Sequence, residues 1–311
     1  MKLGIAVVYL VLPGDEGLID LHLRYIAQCT RAPFTIYAAV NRLPAPLVDR
    51  LAEKPFVRVC TIPPTEDRGS LENAYYLERL IATAIDDGCT HVATLHVDSF
   101  PVRIAWEAEL ARATSSGQAF AAAAREEERF GKPTTAGLFF PREFYIRYRP
   151  QLLLSRDDMH SRSGRSYARK LWNPRESGAG YGLVAFREGL PWLPLRRTNR
   201  AADHDYFGTV HGDMIFHLGA AAHRGRLFPG SQERRLLQSI RRTVIVILPR
   251  PVRKLLRRYV PDRILFPESA AHQRAHDRVK AALVEDPTTF LERLRTGNEM
   301  SPGTIGTRDV R

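Results

Sequence analysis

The chain has 311 residues, 44% of them hydrophobic and 26% charged, with a formal net charge of +12. This balance excludes a disordered chain, which would be poor in apolar residues, and the length suffices for one large core or two modest ones. The positive excess points to an anionic partner such as a nucleotide, an anionic lipid or a nucleic acid. Three widely spaced cysteines, Cys29, Cys60 and Cys89, form neither a disulfide framework nor a metal-type spacing and suit a reduced, cytosolic compartment.

Lys2 followed by the apolar run Leu3–Leu12 imitates a signal peptide. No small-residue cleavage site follows, however, and the pattern continues into Gly14-Asp15-Glu16, so Leu3–Leu10 reads as a first strand. No run approaches ~18 uninterrupted apolar residues, so no spanning helix is expected. Glu16–Cys29 carries apolar residues at helical spacing. Phe34–Val40 reads as strand two, closed by Asn41; Pro44–Glu53 as a short helix; Phe56–Ile62 as strand three. After the turn-rich loop Pro63–Ser70, Ser70 is a plausible N-cap for a helix over Leu71–Asp86, ended by Gly88.

The most informative stretch is His91–Pro101. It begins as an apolar, β-branched run suited to a buried parallel strand and ends abruptly in His96, Asp98, Ser99 and Pro101. His96 and Asp98 are two apart, so in an extended chain their side chains share a face. A carboxylate and an imidazole together suit Mn²⁺, or Mg²⁺ with less help from the imidazole. In an open α/β sheet, ligands bind beyond the carboxyl ends of the strands. The competing reading is that Asp98 or Ser99 N-caps a helix started by Pro101.

Further on, Ile104–Thr114 reads as a helix, Ala119–Ala124 as a strand, Arg125–Arg129 as a solvated charged run, and Pro133–Phe140 as leading into another strand. Residues 150–205 read as irregular. Within them, Gly178-Ala179-Gly180-Tyr181-Gly182 does not fit the dinucleotide-binding pattern; it either lets backbone approach a substrate or merely turns. Val210–Gly219 carries His211 and His217, then small residues and the pair His223-Arg224. Between Arg234 and Arg258 lie nine basic residues and no acidic ones, interleaved with apolar residues. This reads as a basic amphipathic helix pair contacting an anionic membrane surface; with few aromatics interleaved, no nucleic acid is expected. His272 and His276 are four apart on a helix without a zinc motif and are expected to be exposed. Residues 297–311 read as a disordered tail.

The order strand, helix, strand, Arg68-Gly69-Ser70-x-x-Asn73 opening a helix, then a strand ending His96-x-Asp98, resembles the GT-A-fold glycosyltransferases over residues 3–225. In that family a related helix start lies under the nucleotide, and a strand ending in Asp-x-Asp holds the metal and the sugar-nucleotide diphosphate. Here His96 stands where the first Asp of that triplet is expected, and Asp98 keeps the second. The resemblance also implies a late histidine closing the metal site, for which His217 fits better than His211. It makes Asn41, Arg68, Ser70, Asn73, Asp98 and Arg224 candidates for holding the nucleotide-sugar. A carboxylate base for inverting transfer falls among Asp157, Asp158, Asp203 and Asp205, with Asp205 and Asp203 nearest the His217 stretch; retaining transfer would need none.

The expectation is an α/β, Rossmann-like GT-A fold: a mostly parallel central sheet flanked by helices, with a basic helical C-terminal extension. Residues 1–230 would form the catalytic domain, 231–296 the extension and 297–311 the tail. The expected function is metal-dependent transfer from a nucleotide-sugar donor to a glycan or lipid-linked acceptor at the inner face of a membrane, with His96, Asp98 and His217 holding Mn²⁺ or Mg²⁺. Two alternatives stand beside it: a nucleotidyltransferase on a related sheet, and a non-catalytic protein that binds anionic surfaces and retains a decayed site.

Overall fold

The computed structural model describes residues 1–11, 14–124, 132–171, 176–201, 207–219 and 267–297. The first half alternates strand and helix: β1 (Leu3–Val8), α1 (Gly17–Cys29), β2 (Phe34–Ala39), α2 (Ala45–Ala52), β3 (Val57–Val59), α3 (Ser70–Asp86) and β4 (His91–His96). Then follow β5 (Ser99–Pro101), α4 (Trp106–Ser115), β6 (Ala121–Ala124), β7 (Pro133–Pro141), α5 (Arg142–Tyr148), α6 (Arg156–His160), α7 (Arg162–Ala168), α8 (Ala179–Glu188) and β8 (Leu193–Leu195). The chain closes with β9 (Thr209–His211), β10 (Ile215–His217), α9 (Pro267–Glu285) and α10 (Pro287–Thr296).

Seven strands form one sheet in the order β3-β2-β1-β4-β7-β6-β8. Only β7 runs against the rest, pairing antiparallel with both β4 and β6. The fold is thus α/β, with a mixed, mostly parallel sheet flanked by helices. Period-two alternation sends successive residues of β4 to opposite layers. Val92 enters a core with Leu77 and Leu80 of α3 and Tyr181 of α8. Ala93 and Leu95 enter the other, with Ile19 and Leu23 of α1 and Trp106 of α4. Burial on both faces is why β4 reads as a continuous apolar run. Each fully buried Leu or Ile here contributes about 1.5–3 kcal/mol. Because β2 lies on one side of β1 and β4 on the other, the strand order reverses between β1 and β4, with Val8 opposite His96 at their carboxyl ends.

A second, antiparallel sheet has the order β5-β10-β9. Its hairpin turns at Gly212-Asp213, both with positive φ, and the Met214 N–H closes onto the His211 carbonyl, as a turn matching strand twist requires. Phe100, Val210, Phe216 and Leu218 pack with Val279, Leu283, Phe290 and Leu294 of α9 and α10, so these helices share a core with the strand that carries His217.

Several local expectations are corrected. Pro101 does not start a helix and neither Asp98 nor Ser99 caps one: Ser99–Pro101 pairs with β10, and the helix begins at Trp106 after left-handed Ala105. The proline is tolerated because β5 is an edge strand. The Val102 N–H to Met214 carbonyl and Leu218 N–H to Asp98 carbonyl bonds show that even-numbered residues face β10, so position 101 faces away. Gly69, at φ 68°, is the N-cap of α3 and Ser70 its first residue. Strand three shrinks to Val57–Val59. Residues 150–205, expected to be irregular, contain α6, α7, α8 and β8. His276 is buried, with Phe207 edge-on at 5.2 Å, because α9 turns that face onto the small sheet. Arg125–Arg129, the basic stretch from Arg234 to Arg258, the boundary at 230 and the tail beyond Gly297 lie outside the described residues. No described helix is long and apolar enough to cross a membrane.

The glycine-rich stretch opens α8 and packs against protein. A Cβ on Gly178 would sit 2.2 Å from the Pro133 carbonyl oxygen, and one on Gly180 2.0 Å from that of Gln151. Gly178 also needs φ 102°, which only glycine adopts without strain. Gly178→Ala is expected to lower unfolding free energy by about 1–3 kcal/mol, read as a lower urea midpoint at unchanged slope.

Candidate metal centre

The chain leaves the large sheet at His96, turns through Val97-Asp98 and enters the small sheet at Ser99. His96 and Asp98 therefore do not share a face of one extended strand; a turn brings them together. The turn is closed by Ser99, whose Oγ accepts the His96 N–H at 2.7 Å and lies 3.2 Å from the His96 carbonyl. β10 then delivers His217, the residue opposite Ser99. One ligand atom each from His96, Asp98 and His217 lies within 4.8 Å of the others. His217 Nε2 is 3.8 Å from Asp98 Oδ2, and the two histidine rings are 5.6 Å apart, near perpendicular. Asp98 is 4% exposed, and its Oδ2 accepts the Gly219 N–H at 3.1 Å.

Atoms each about 2.1 Å from one cation lie at most about 4.2 Å apart, so small side-chain movements close this set around an ion. Two imidazoles and a carboxylate suit Mn²⁺ better than Mg²⁺, which prefers oxygen. The residues present therefore fit the expected group.

A polar network braces His96 from the α3 side. His96 Nε2 contacts Thr135 Oγ1 at 2.9 Å; Thr135 Oγ1 meets Ser177 Oγ at 2.9 Å; Asn73 Nδ2 reaches both hydroxyls at 3.4 Å. Proton counting constrains it. With Asn73 donating to Thr135, the hydroxyl has one proton and one lone pair left for His96 and Ser177. If Nε2–H donates to Thr135, the lone pair of His96 resides on Nδ1; outer partners commonly fix a ligating imidazole this way. Ser177 is held in place by Gly178's close approach to β7. It is also steadied by the ion pair between buried Lys132, just before β7, and Glu176.

On the α1 side lies His22, fully buried, with Nδ1 2.9 Å from the Ser99 carbonyl. Burial pulls it from the usual 6.5 to about 4, against the raising effects of the Ser99 bond and the Asp98 charge.

The structure thus brings together His96, Asp98 and His217, with Asn73 joined through Thr135. Other candidates are placed elsewhere or differently. Asn41 Nδ2 donates to the Ile62 carbonyl at 2.7 Å, and Arg68 donates to the carbonyls of Thr65 and Asp67 on an exposed loop. Ser70 sits in the first turn of α3, whose N-terminus opens toward Thr135 through Asn73. Buried His211 contacts Thr209 at 3.0 Å, its ring 6.4 Å from that of His217. In the capping box of α6, Asp158 pairs with Ser155. Asp203, Asp205 and Arg224 lie outside the described residues. Sequence reasoning missed Thr135, Ser177 and His22. Ser177 adjoins the glycine-rich stretch, and His22 is a histidine on an otherwise apolar helix face; nothing in the local sequence marks Thr135.

No protein-family model and no curated protein matches the chain. Among solved structures, the chain is similar to S. aureus TarS in complex with UDP-GlcNAc (11% identity, TM-score 0.36, 50% of each chain covered). It is also similar to mouse xyloside xylosyltransferase 1 (10%, 0.38, 63% of this chain and 85% of that one). A third likeness is to the glycosyltransferase GlyE of Streptococcus pneumoniae (12%, 0.37, 62% and 44%). The chain spans half of the TarS chain it matches. With TM-scores below 0.5, these likenesses decide nothing about the chemistry of this chain.

Two outcomes follow. His217→Ala should raise the Mn²⁺ concentration for half-saturation at least about tenfold, while His211→Ala should change it little, as Mn²⁺ titration followed by EPR would show. For His22, the sign is set by its lowered value: between pH 6.5 and about 4 the unfolded chain binds a proton that the folded chain does not. Its contribution is therefore intact above pH 6.5 and lost as pH falls toward 4, a loss on the order of 3 kcal/mol in all. His22→Phe should flatten that part of the stability–pH curve in urea melts.

Proposed function

We propose that this chain is a metal-dependent glycosyltransferase acting on a nucleotide-sugar. The observation that carries the reading is the position of His96, Asp98 and His217. They meet at the carboxyl end of β4, where the strand order reverses, the place where open α/β sheets bind nucleotides and phosphates. The sequence resemblance to GT-A enzymes points the same way.

Breaking a glycosidic bond to a nucleoside diphosphate builds negative charge on the leaving group. A divalent cation held by the three residues would neutralise that charge as it forms. The protein's own residues supply the rest. Asp98 contributes the anionic ligand, kept in place by the Gly219 N–H. His96 is oriented by Thr135. The N-terminus of α3 opens toward the same network, and its dipole favours an anion there. Asn73, Ser70 and Arg68 remain proposed donor contacts on this helix and its preceding loop. Asn41 and Arg224 are proposed contacts to the base and diphosphate, and Asp203 or Asp205 the proposed base for inverting transfer. The acceptor is proposed to be a glycan or lipid-linked hydroxyl, with the basic stretch 234–258 facing an anionic surface.

A thermal-shift screen of UDP-, GDP-, CMP- and TDP-sugars tests this. One donor should raise the melting temperature only with Mn²⁺ present; at a hundred times its Kd it stabilises by about 2.7 kcal/mol. Pyrophosphate release in place of sugar transfer would favour a nucleotidyltransferase, and metal-blind binding a non-catalytic protein. Asp98→Asn keeps side-chain shape and an acceptor for Gly219, so it should fold as wild type yet lose metal-dependent binding and transfer. Wild-type turnover by the folded variant would remove Asp98 from the site.

A further inference from the structure

His22 is a buried histidine that the metal centre does not use directly. We propose that it is a positioning residue: by donating Nδ1–H to the Ser99 carbonyl it fixes the turn that carries Asp98 and thereby sets the spacing of His96, Asp98 and His217. The inference rests on the reading of that trio as a metal centre.

The strand register explains why Ser99 needs such a partner. Asp98 and Val102 bond to β10, so the backbone groups of Ser99, between them, point to the opposite edge of β5. Ser99 is fully buried, and a buried carbonyl without a donor is costly. His22 reaches across from α1 and supplies the donor at 2.9 Å. A carbonyl only accepts, so the proton resides on Nδ1 and Nε2 carries the lone pair. Nε2 is buried with no hydrogen-bond partner among the described residues, and the Tyr9 ring lies near perpendicular to the imidazole with ring centroids 5.5 Å apart.

That orphaned acceptor argues that packing is not the purpose of the histidine. Leu18, Ile19, Leu21, Leu23 and Ile26 are the buried aliphatic residues of the same helix, and an aliphatic side chain at 22 would bring no unsatisfied atom of its own. What an aliphatic residue would lose is the Ser99 bond. Ser99 in turn holds the His96 N–H with its hydroxyl. Anchored through its backbone by His22 and through its side chain to His96, Ser99 locks the two residues on either side of Val97.

The test uses the full chain with three His22 substitutions and one control. His22→Asn keeps an N–H donor at the position of Nδ1; His22→Gln moves it to that of Nε2; His22→Leu removes it. Leu23→Ala loosens the same helix without touching Ser99. Two readouts are taken: hydrogen exchange of the His96 amide without metal, and the Mn²⁺ dissociation constant by EPR. His22→Leu and His22→Gln should exchange the His96 amide at least about tenfold faster and bind Mn²⁺ at least about tenfold more weakly. His22→Asn should restore both to near wild type. Leu23→Ala should lower the melting temperature without singling out His96. Should His22→Leu not fold, the two amide variants still decide. Equal His96 exchange in His22→Asn and His22→Gln would overturn the proposal, as would acceleration spread over α1 and β1 alike. Failure of wild type to bind Mn²⁺ would instead overturn the metal centre, leaving the exchange comparison to judge His22.

Discussion

The pairing of β5 with β10 is the contact on which the candidate site depends. β4 belongs to the large sheet, yet three residues past its end the chain is a strand of a different, antiparallel sheet. The Val97-Asp98 turn is the joint. It is held from β10 by the Leu218 N–H on the Asp98 carbonyl and the Gly219 N–H on its side chain, and from within by Ser99. Because β10 starts more than a hundred residues after β5, this joint is also what converts two distant sequence fragments into one cluster of ligand atoms. α9 and α10 press on the far side of the small sheet through Val279, Leu283 and Phe290, so the late helices support the position of His217.

This arrangement has a chemical consequence. A carboxylate that is 4% exposed and aimed at two imidazoles is poorly hydrated, and a buried charge needs compensation. The Gly219 N–H supplies part of that compensation, and a divalent cation at the site would add to it. With His96 in the set where a second carboxylate could stand, the cluster carries one negative charge fewer and a softer ligand. That shifts preference from Mg²⁺ toward Mn²⁺ and other imidazole-binding metals. The His96 ring is braced by Thr135 of β7, whose hydroxyl is in turn held by Ser177, on the approach to α8, and by Asn73 of α3.

Much of this was legible in the sequence where the signal is local. β1, α1, β2 and β4 announce themselves by apolar periodicity, and the switch from apolar run to His96 and Asp98 marked the end of a central strand. His217 was legible as a histidine closing a short apolar stretch. The hidden parts are set by partners far along the chain. Ser99–Pro101 carries a local helix-start signal that long-range pairing with β10 overrides. The glycines at 178–182 looked like a turn or a substrate approach because their true neighbours, Pro133, Gln151 and Tyr167, are distant in sequence. Asn41 and Arg68 also donate to the nearby carbonyls of Ile62, Thr65 and Asp67, contacts that no local sequence signal marks. His22 was masked by its own setting, since a helix face of Leu and Ile makes any member read as core.

The central claim is that His96 and His217 both coordinate one divalent cation beside Asp98. Pulsed EPR of Mn²⁺ bound to the full chain reads it directly, because imidazole nitrogens couple to the manganese electron spin and oxygen ligands do not. The account predicts couplings from two histidine nitrogens in the wild type and from one in His217→Ala. Bound Mn²⁺ without nitrogen coupling, or the wild-type pattern persisting in His217→Ala, would contradict it.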